Sequence, residues 1–222
     1  MTAATPPNAP AVLILRHGQT LWNRAGRYQG QNDSPLTPKG IGQLCALAET
    51  LKHRLGRQSD WRLVSSPLPR TRQSMALFCE QLGWDYDDVA FDARLKECAY
   101  GRWEGLNVAE IERRFPEDYA ARQRDHWGYA NPAGGESYAQ VFERVSTFVA
   151  ELDPARPVVA MSHGGSGRVL RGILLGLGPD EMFVEPADQS HAFLIAMGRS
   201  ETIPADPAAL ARFGVSVYGR MP

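Results

Sequence analysis

No apolar run approaches about 18 residues, so the sequence carries no candidate transmembrane helix. Met1 to Pro10 also lacks the basic start and apolar centre of a secretion signal. A soluble, cytoplasmic protein is the expectation. Cysteine is scarce: Cys45, Cys79 and Cys98 cannot all pair and show no Cys-x-x-Cys spacing, which argues against a disulfide framework and a zinc ribbon. Cys98 reads as a small buried side chain. Excess charge of one sign is missing too, with a net charge of -1, leaving no footprint for nucleic acid or an anionic membrane surface. There is no His-Glu-x-x-His pair and no Gly-Lys-Ser/Thr phosphate loop, so neither a metal nor a cofactor is expected. Gly165-Ser166-Gly167 fails as a serine nucleophile elbow at Arg168 and as a dinucleotide loop at Leu170.

What the chain does have is a buried-strand run, Ala11 to Leu15, followed directly by Arg16-His17-Gly18. Ligands of open α/β sheets bind at the carboxyl ends of such strands, so Arg16 and His17 are placed in a cleft. An imidazole can attack phosphorus, and a guanidinium offers a planar fork matched to phosphate oxygens. Gly18 would let the backbone approach an anion. One such motif is weak evidence, because a lone strand-end histidine is more often an ordinary hydrogen-bonded residue. A second follows far downstream, where the strand Val158 to Ser162 ends in His163-Gly164-Gly165. Between the two lie Ser65-Ser66-Pro67-Leu68-Pro69-Arg70 and the acid-bearing Glu97-Cys98-Ala99-Tyr100-Gly101-Arg102-Trp103-Glu104-Gly105.

This ordered set, with Asn23 and the segment Gly30 to Gly40, resembles the histidine phosphatase superfamily, the phosphoglycerate mutase-like proteins, from about Val12 to about Met197. The resemblance implies a phosphoryl-transfer site in which His17 is the nucleophile and forms a phosphohistidine. Arg16, Arg70, His163, Asn23 and the backbone N–H of Gly164 would form the phosphate pocket, helped by amides of a helix starting near Ser166. Glu97 would be the general acid and then the base; beside a phosphate it should hold its proton to a higher pH than a solvated glutamate. A backbone carbonyl accepting from the Nδ1–H of His17 would leave Nε2 free to attack.

Each assignment has a competitor. Arg72 stands beside Arg70, and Glu104 shares the loop of Glu97; the family pattern selects Arg70 and Glu97. Glu136 could touch substrate, yet an acid near a helix start explains it as well. His53 and His126 read as solvated, and His191, Asp188 and Gln189 are undecided between pocket mouth and strand start. Tyr100, Trp103, Trp127 and Tyr129 could wall a pocket or pack the core.

Strands alternating with helices predict an α/β fold, a three-layer α/β/α sandwich around a mostly parallel sheet. Thr37-Pro38 starts a helix with Ile41, Leu44, Leu47, Ala48 and Leu51 recurring at helical spacing, and Pro69 to Leu82 forms another. Further strands are predicted at Arg62 to Ser65, Val89 to Phe91, Ala192 to Met197 and Val215 to Tyr218, and a long helix runs from Ser137 through Leu152. Residues 1–10 read as a mobile tail and 11–222 as one domain, with a polar, Arg-rich helical lid at about 106–130. Only 66 positions separate Glu97 from His163. The resemblance implies that mutases carry a longer insertion there to exclude water, so the short segment favours a phosphatase acting on a small phosphorylated metabolite over a mutase. A non-catalytic phospho-ligand module is the remaining alternative. Substrate identity and oligomeric state are not specified by these residues.

Overall fold

Alternation of apolar residues along the first strand decides the architecture. The computed structural model describes residues 9–184 and 188–215. In it, β1 (Val12–Arg16) sends Val12 and Ile14 into one apolar cluster and Leu13 and Leu15 into another. A strand buried on both faces has to be covered on both. The same split recurs in β2 (Arg62–Ser65) and β4 (Val158–Ser162), where Val64 and Ala160 join the first cluster and Leu63, Val159 and Met161 the second.

α2 (Pro38–Leu55), α3 (Pro69–Leu82) and α8 (Pro207–Arg212) contribute to the second cluster; α6 (Tyr138–Ala150) and α7 (Gly164–Leu175) contribute to the first. The result is three layers. α2 begins at an N-cap, Thr37, whose side chain accepts from Gly40 N, with Pro38 in the first turn. Leu44, Leu47 and Leu51 are buried beneath it, each contributing about 2 kcal/mol by removal from water. Ile41 stays 36% exposed, outside the apolar face its spacing suggested.

The sheet order is β3-β2-β4-β1-β5-β6, with β3 at Ala90–Phe91, β5 at His191–Ala196 and β6 at Arg199–Pro204. The first four strands are parallel, β5 runs antiparallel to β1, and β6 runs antiparallel to β5. Register is what matters for function: Arg16 pairs with Ser162, and Ser65 with Met161. His17, His163 and Ser66 therefore leave neighbouring strands together at one end of the sheet.

Several elements differ from expectation. β6 was not anticipated because it is a polar edge strand ending in proline, with Ile203 its one buried residue. α8 and the four-residue α1 (Leu21–Arg24) are too short for a periodic signal. β5 ends at Ala196 because Met197 takes φ 50° in the turn to β6. Ala9 and Pro10 pack on the body rather than forming tail. Val215 is buried in the second cluster and is not a strand, and 216–218 lie outside the described residues. The stretch 108–126 forms α4 (Val108–Arg114) and α5 (Pro116–Arg124), divided at Phe115, with Ile111 fully buried. Among the described residues no helix is long and apolar enough to cross a membrane.

Candidate active site

His17 follows β1 and is 3% exposed. Its backbone N–H donates to Ser162 O at 3.1 Å, and its Nδ1 lies 2.8 Å from Gly18 O. A carbonyl only accepts, so Nδ1 carries the ring proton and Nε2 keeps its lone pair. Burial first, then the charges of Arg70 and Arg16, push the His17 pKa well below the usual histidine value, outweighing the Gly18 hydrogen bond that opposes them. Gly18 serves a purpose other than the expected one. A Cβ there would stand 2.3 Å from Gly40 O, so the missing side chain admits the backbone of α2 rather than an anion.

Arg70, in the first turn of α3, is 1% exposed. Its guanidinium donates to Asn32 O at 2.7 Å, Gly30 O at 2.7 Å and Asp33 Oδ1 at 2.9 Å. Its buried Nε has no hydrogen-bond partner among the described residues. The loop that grips it is held in turn by Glu104, which accepts from Gln31 N, Asn32 N and Tyr100 N. Those bonds assign Glu104 to the scaffold. Arg72 points elsewhere, with its guanidinium 3.8 Å over the Phe91 ring.

Glu97 is 8% exposed, and its carboxylate meets the start of α7. Oε1 accepts from Cys98 N and Ser166 N, and Oε2 from Gly165 N, each at 2.9 Å. The helix begins at Gly164, and two of its first amides are thus taken by Glu97 instead of being presented to phosphate, as the sequence had suggested. The first amides of a helix need acceptors, and the Glu97 carboxyl oxygens supply them. Gly165 makes room: a Cβ there would lie 2.6 Å from Oε1 and 2.7 Å from the Tyr138 hydroxyl.

Arg16, His17, Asn23, Arg70, Glu97 and Gly164 all line one cavity of about 240 Å³. His163 sits just behind, its ring centroid 5.2 Å from that of His17, and borders a cleft of about 20 Å³ with Arg16. Burial followed by Arg70, His17 and Arg16 pushes its pKa well below the usual value as well. Asn23 Oδ1 is engaged by Thr20 N and Gln189 Nε2. His191 opens β5 beside Asp188, at 3.2 Å, and His53 and His126 are exposed. Trp103 is fully buried core, and Trp127 and Tyr129 pack against that core; of the four aromatics only Tyr100 lines the cavity.

Sequence reasoning missed Tyr28, Tyr138, Arg27, Gln29 and Arg168 on the cavity wall. Tyr138 had one signal, a hydroxyl in the first turn of an otherwise apolar helix face. It also missed how Glu97 is held. Arg144 on α6 donates to Glu97 O at 3.2 Å, to Arg94 O at 2.5 Å and to both oxygens of Glu136, which itself accepts from Ala99 N. Glu136 is therefore a loop clamp. Cys98 is buried, and burial raises its thiol pKa. Among the described residues, no group of three or more His, Cys, Asp or Glu is placed to hold a metal ion.

Comparison with known proteins gives the family. The profile of the histidine phosphatase superfamily (branch 1) matches residues 12–200. Glucosyl-3-phosphoglycerate phosphatase of Mycobacterium tuberculosis is 36% identical over 181 residues, covering 76% of this chain and 77% of that protein. Phosphoserine phosphatase 1 of Hydrogenobacter thermophilus is 30% identical over 189 residues, covering 84% and 86%. The solved structure of mycobacterial glucosyl-3-phosphoglycerate phosphatase with VO3 superposes with a TM-score of 0.71 at 30% identity, covering 88% of this chain and 97% of that one. The chain belongs to the histidine phosphatase superfamily, and it is a phosphatase of the phosphoglycerate mutase family.

Proposed function

We propose that this site hydrolyses the phosphate monoester of a small polar metabolite through a phosphohistidine at His17. His17 Nε2 attacks phosphorus, the ester P–O bond breaks, and the leaving oxygen takes a proton from Glu97. Glu97 then removes a proton from water; the water oxygen attacks phosphorus, the P–N bond breaks, and its electron pair returns to Nε2. Arg16, Arg70 and His163 hold the equatorial oxygens, where charge is spread in the transition state, with Asn23 and Gly164 N as further donors. The observation that carries this reading is the Nδ1 to Gly18 O bond, which aims a lone pair into a cavity lined by two arginines.

Glu97 has one acceptor position left. Three backbone N–H groups occupy both positions on Oε1 and one on Oε2, so the second position on Oε2 is the one to carry the transferred proton. The wall beyond the phosphate end is polar, with Tyr28, Gln29 and Tyr100, and it adds the cations Arg27 and Arg168. That composition supports an alcohol bearing a second negative group. The named substrates of the two relatives, glucosyl-3-phosphoglycerate and phosphoserine, are esters of hydroxy acids.

We assign segment 106–130 as the cover of this cavity. Arg27 on the rim donates to Gly105 O and Glu110, and the Arg122 guanidinium lies 5.3 Å over Tyr100 and 5.2 Å over Tyr138. A panel of phosphomonoesters, run beside a mutase assay, tests the proposal. Phosphate release fastest from hydroxy-acid esters supports it, and preference for neutral alkyl esters or net phosphoryl transfer between glycerates overturns it.

A further inference from the structure

Two histidine rings stand side by side, their centroids 5.2 Å apart, and their free nitrogens differ. His17 is tied through Nδ1, whereas His163 is tied through Nε2, which lies 2.8 Å from Ser66 Oγ. His163 Nδ1 is buried and has no hydrogen-bond partner among the described residues. Because burial and the neighbouring arginines keep this imidazole neutral, it has one N–H, and which nitrogen bears it decides whether His163 can donate to an anion or would repel one.

Ser66 settles the choice. Its side chain is 0% exposed and has two partners: Leu68 N, which donates to Oγ at 3.4 Å, and His163 Nε2. An amide N–H cannot accept, so Nε2 is the one acceptor for the hydroxyl hydrogen. Were Nε2 protonated, a fully buried O–H would be left without an acceptor and Nδ1 would turn a lone pair toward a bound anion, whereas the Nδ1–H form leaves one N–H open, which that anion satisfies. The turn fixes Ser66 in this pose, since Thr71 Oγ1 lies 2.9 Å from Ser66 O and 2.7 Å from Leu68 O and shares its one hydrogen between them.

We propose that Ser66 is a positioning residue that donates its hydroxyl hydrogen to His163 Nε2 and so holds His163 as the Nδ1–H tautomer, the form able to donate to a substrate phosphate oxygen. The site then carries two neutral histidines in the same Nδ1–H tautomer but turned opposite ways, His17 presenting its Nε2 lone pair for attack and His163 its Nδ1 hydrogen for binding. This rests on phosphate binding beside His17, the reading given above.

The test is ¹H–¹⁵N correlation NMR of the imidazole rings in the full chain labelled at histidine, with His163 assigned by its loss in His163→Asn. The wild type is expected to show His163 protonated at Nδ1 and bare at Nε2, and Ser66→Ala to shift it toward the Nε2–H form. Ser66→Thr, which keeps a hydroxyl, should retain the wild-type pattern. Vanadate affinity should fall about tenfold in Ser66→Ala and return with threonine, as expected for one hydrogen bond to a charged group. An Nε2–H signal for His163 in the wild type overturns the proposal whether or not any variant folds. An unchanged tautomer in a folded Ser66→Ala does the same. Failure of vanadate to perturb either histidine, with the tautomers as expected, would count instead against the phosphate site.

Discussion

The guanidinium of Arg144 donates to the main-chain carbonyl of Glu97 at 3.2 Å and is itself clamped by Glu136, so the peptide carrying the acid is fixed from α6. Arg144→Met should free that peptide without touching the phosphate end. Turnover of alkyl phosphates is expected to drop by about tenfold or more, since small misplacements of catalytic groups are costly. Vanadate affinity should stay within about twofold, less than one hydrogen bond is worth. Paired rate and affinity measurements check this, and a parallel loss of both would mean that the pocket had collapsed.

Glu97→Gln separates the acid role from the rest. Alkyl phosphates should slow by about 10² to 10⁴, the usual worth of general acid catalysis. p-Nitrophenyl phosphate, whose leaving group departs with little help, should give a burst of about one equivalent of nitrophenolate and then turn over slowly, because the water-activating step has lost its base. Stopped-flow absorbance reads both phases. Equal losses on the two substrate classes, with no burst, would remove Glu97 from this role.

Stability should depend on pH through His17 and His163. Both have folded-state pKa values below the ordinary 6.5, so the unfolded chain binds more protons once the pH is under that value, and stability rises with pH in that range. Above about pH 6.5 the two groups contribute no slope; below it each adds up to about 1.4 kcal/mol per pH unit until its folded-state value is reached. Urea denaturation of phosphate-free protein at about pH 7.5, 6.5 and 5.5, kept above the carboxylate range, measures this. His17→Gln and His163→Gln should each flatten the lower interval; a slope unchanged by both variants would contradict the assignment.

Chelation should leave turnover intact, because in this mechanism the guanidinium groups of Arg16 and Arg70 supply the positive charge that a metal provides in other phosphatases, with His163 as a neutral donor beside them. Activity lost to EDTA and restored by a divalent ion would overturn this.

The parts of the molecule legible in its sequence were those with a local signal. Buried strands ending in Arg-His-Gly and His-Gly located the cleft, since strand ends in an α/β sheet have a fixed functional side. Helix α2 was readable from Thr37 and Pro38, and α3 from its proline and apolar face. What escaped depends on tertiary contact. No local pattern says that Glu97 will take the amides of Gly165 and Ser166, or that Gly18 faces Gly40 instead of an anion. Arg144, Glu104 and Ser66 look like ordinary polar residues until the loops they hold are folded. β6 was hidden because an edge strand with one buried residue lacks the period-2 signature of a half-buried one.

The central claim is that the phosphoryl group passes through His17, and trapping the phosphoenzyme tests it most directly. Quenching with base during turnover of ³²P-labelled phosphomonoester, followed by peptide mapping, should recover one label on His17 that is stable to base and lost in acid, as expected of a phosphoramidate. His17→Ala should show no label and no measurable turnover while keeping its fold by circular dichroism. A label that resists acid, or His17→Ala activity within about tenfold of wild type, a loss of under 1.4 kcal/mol in transition-state stabilisation, would contradict the account.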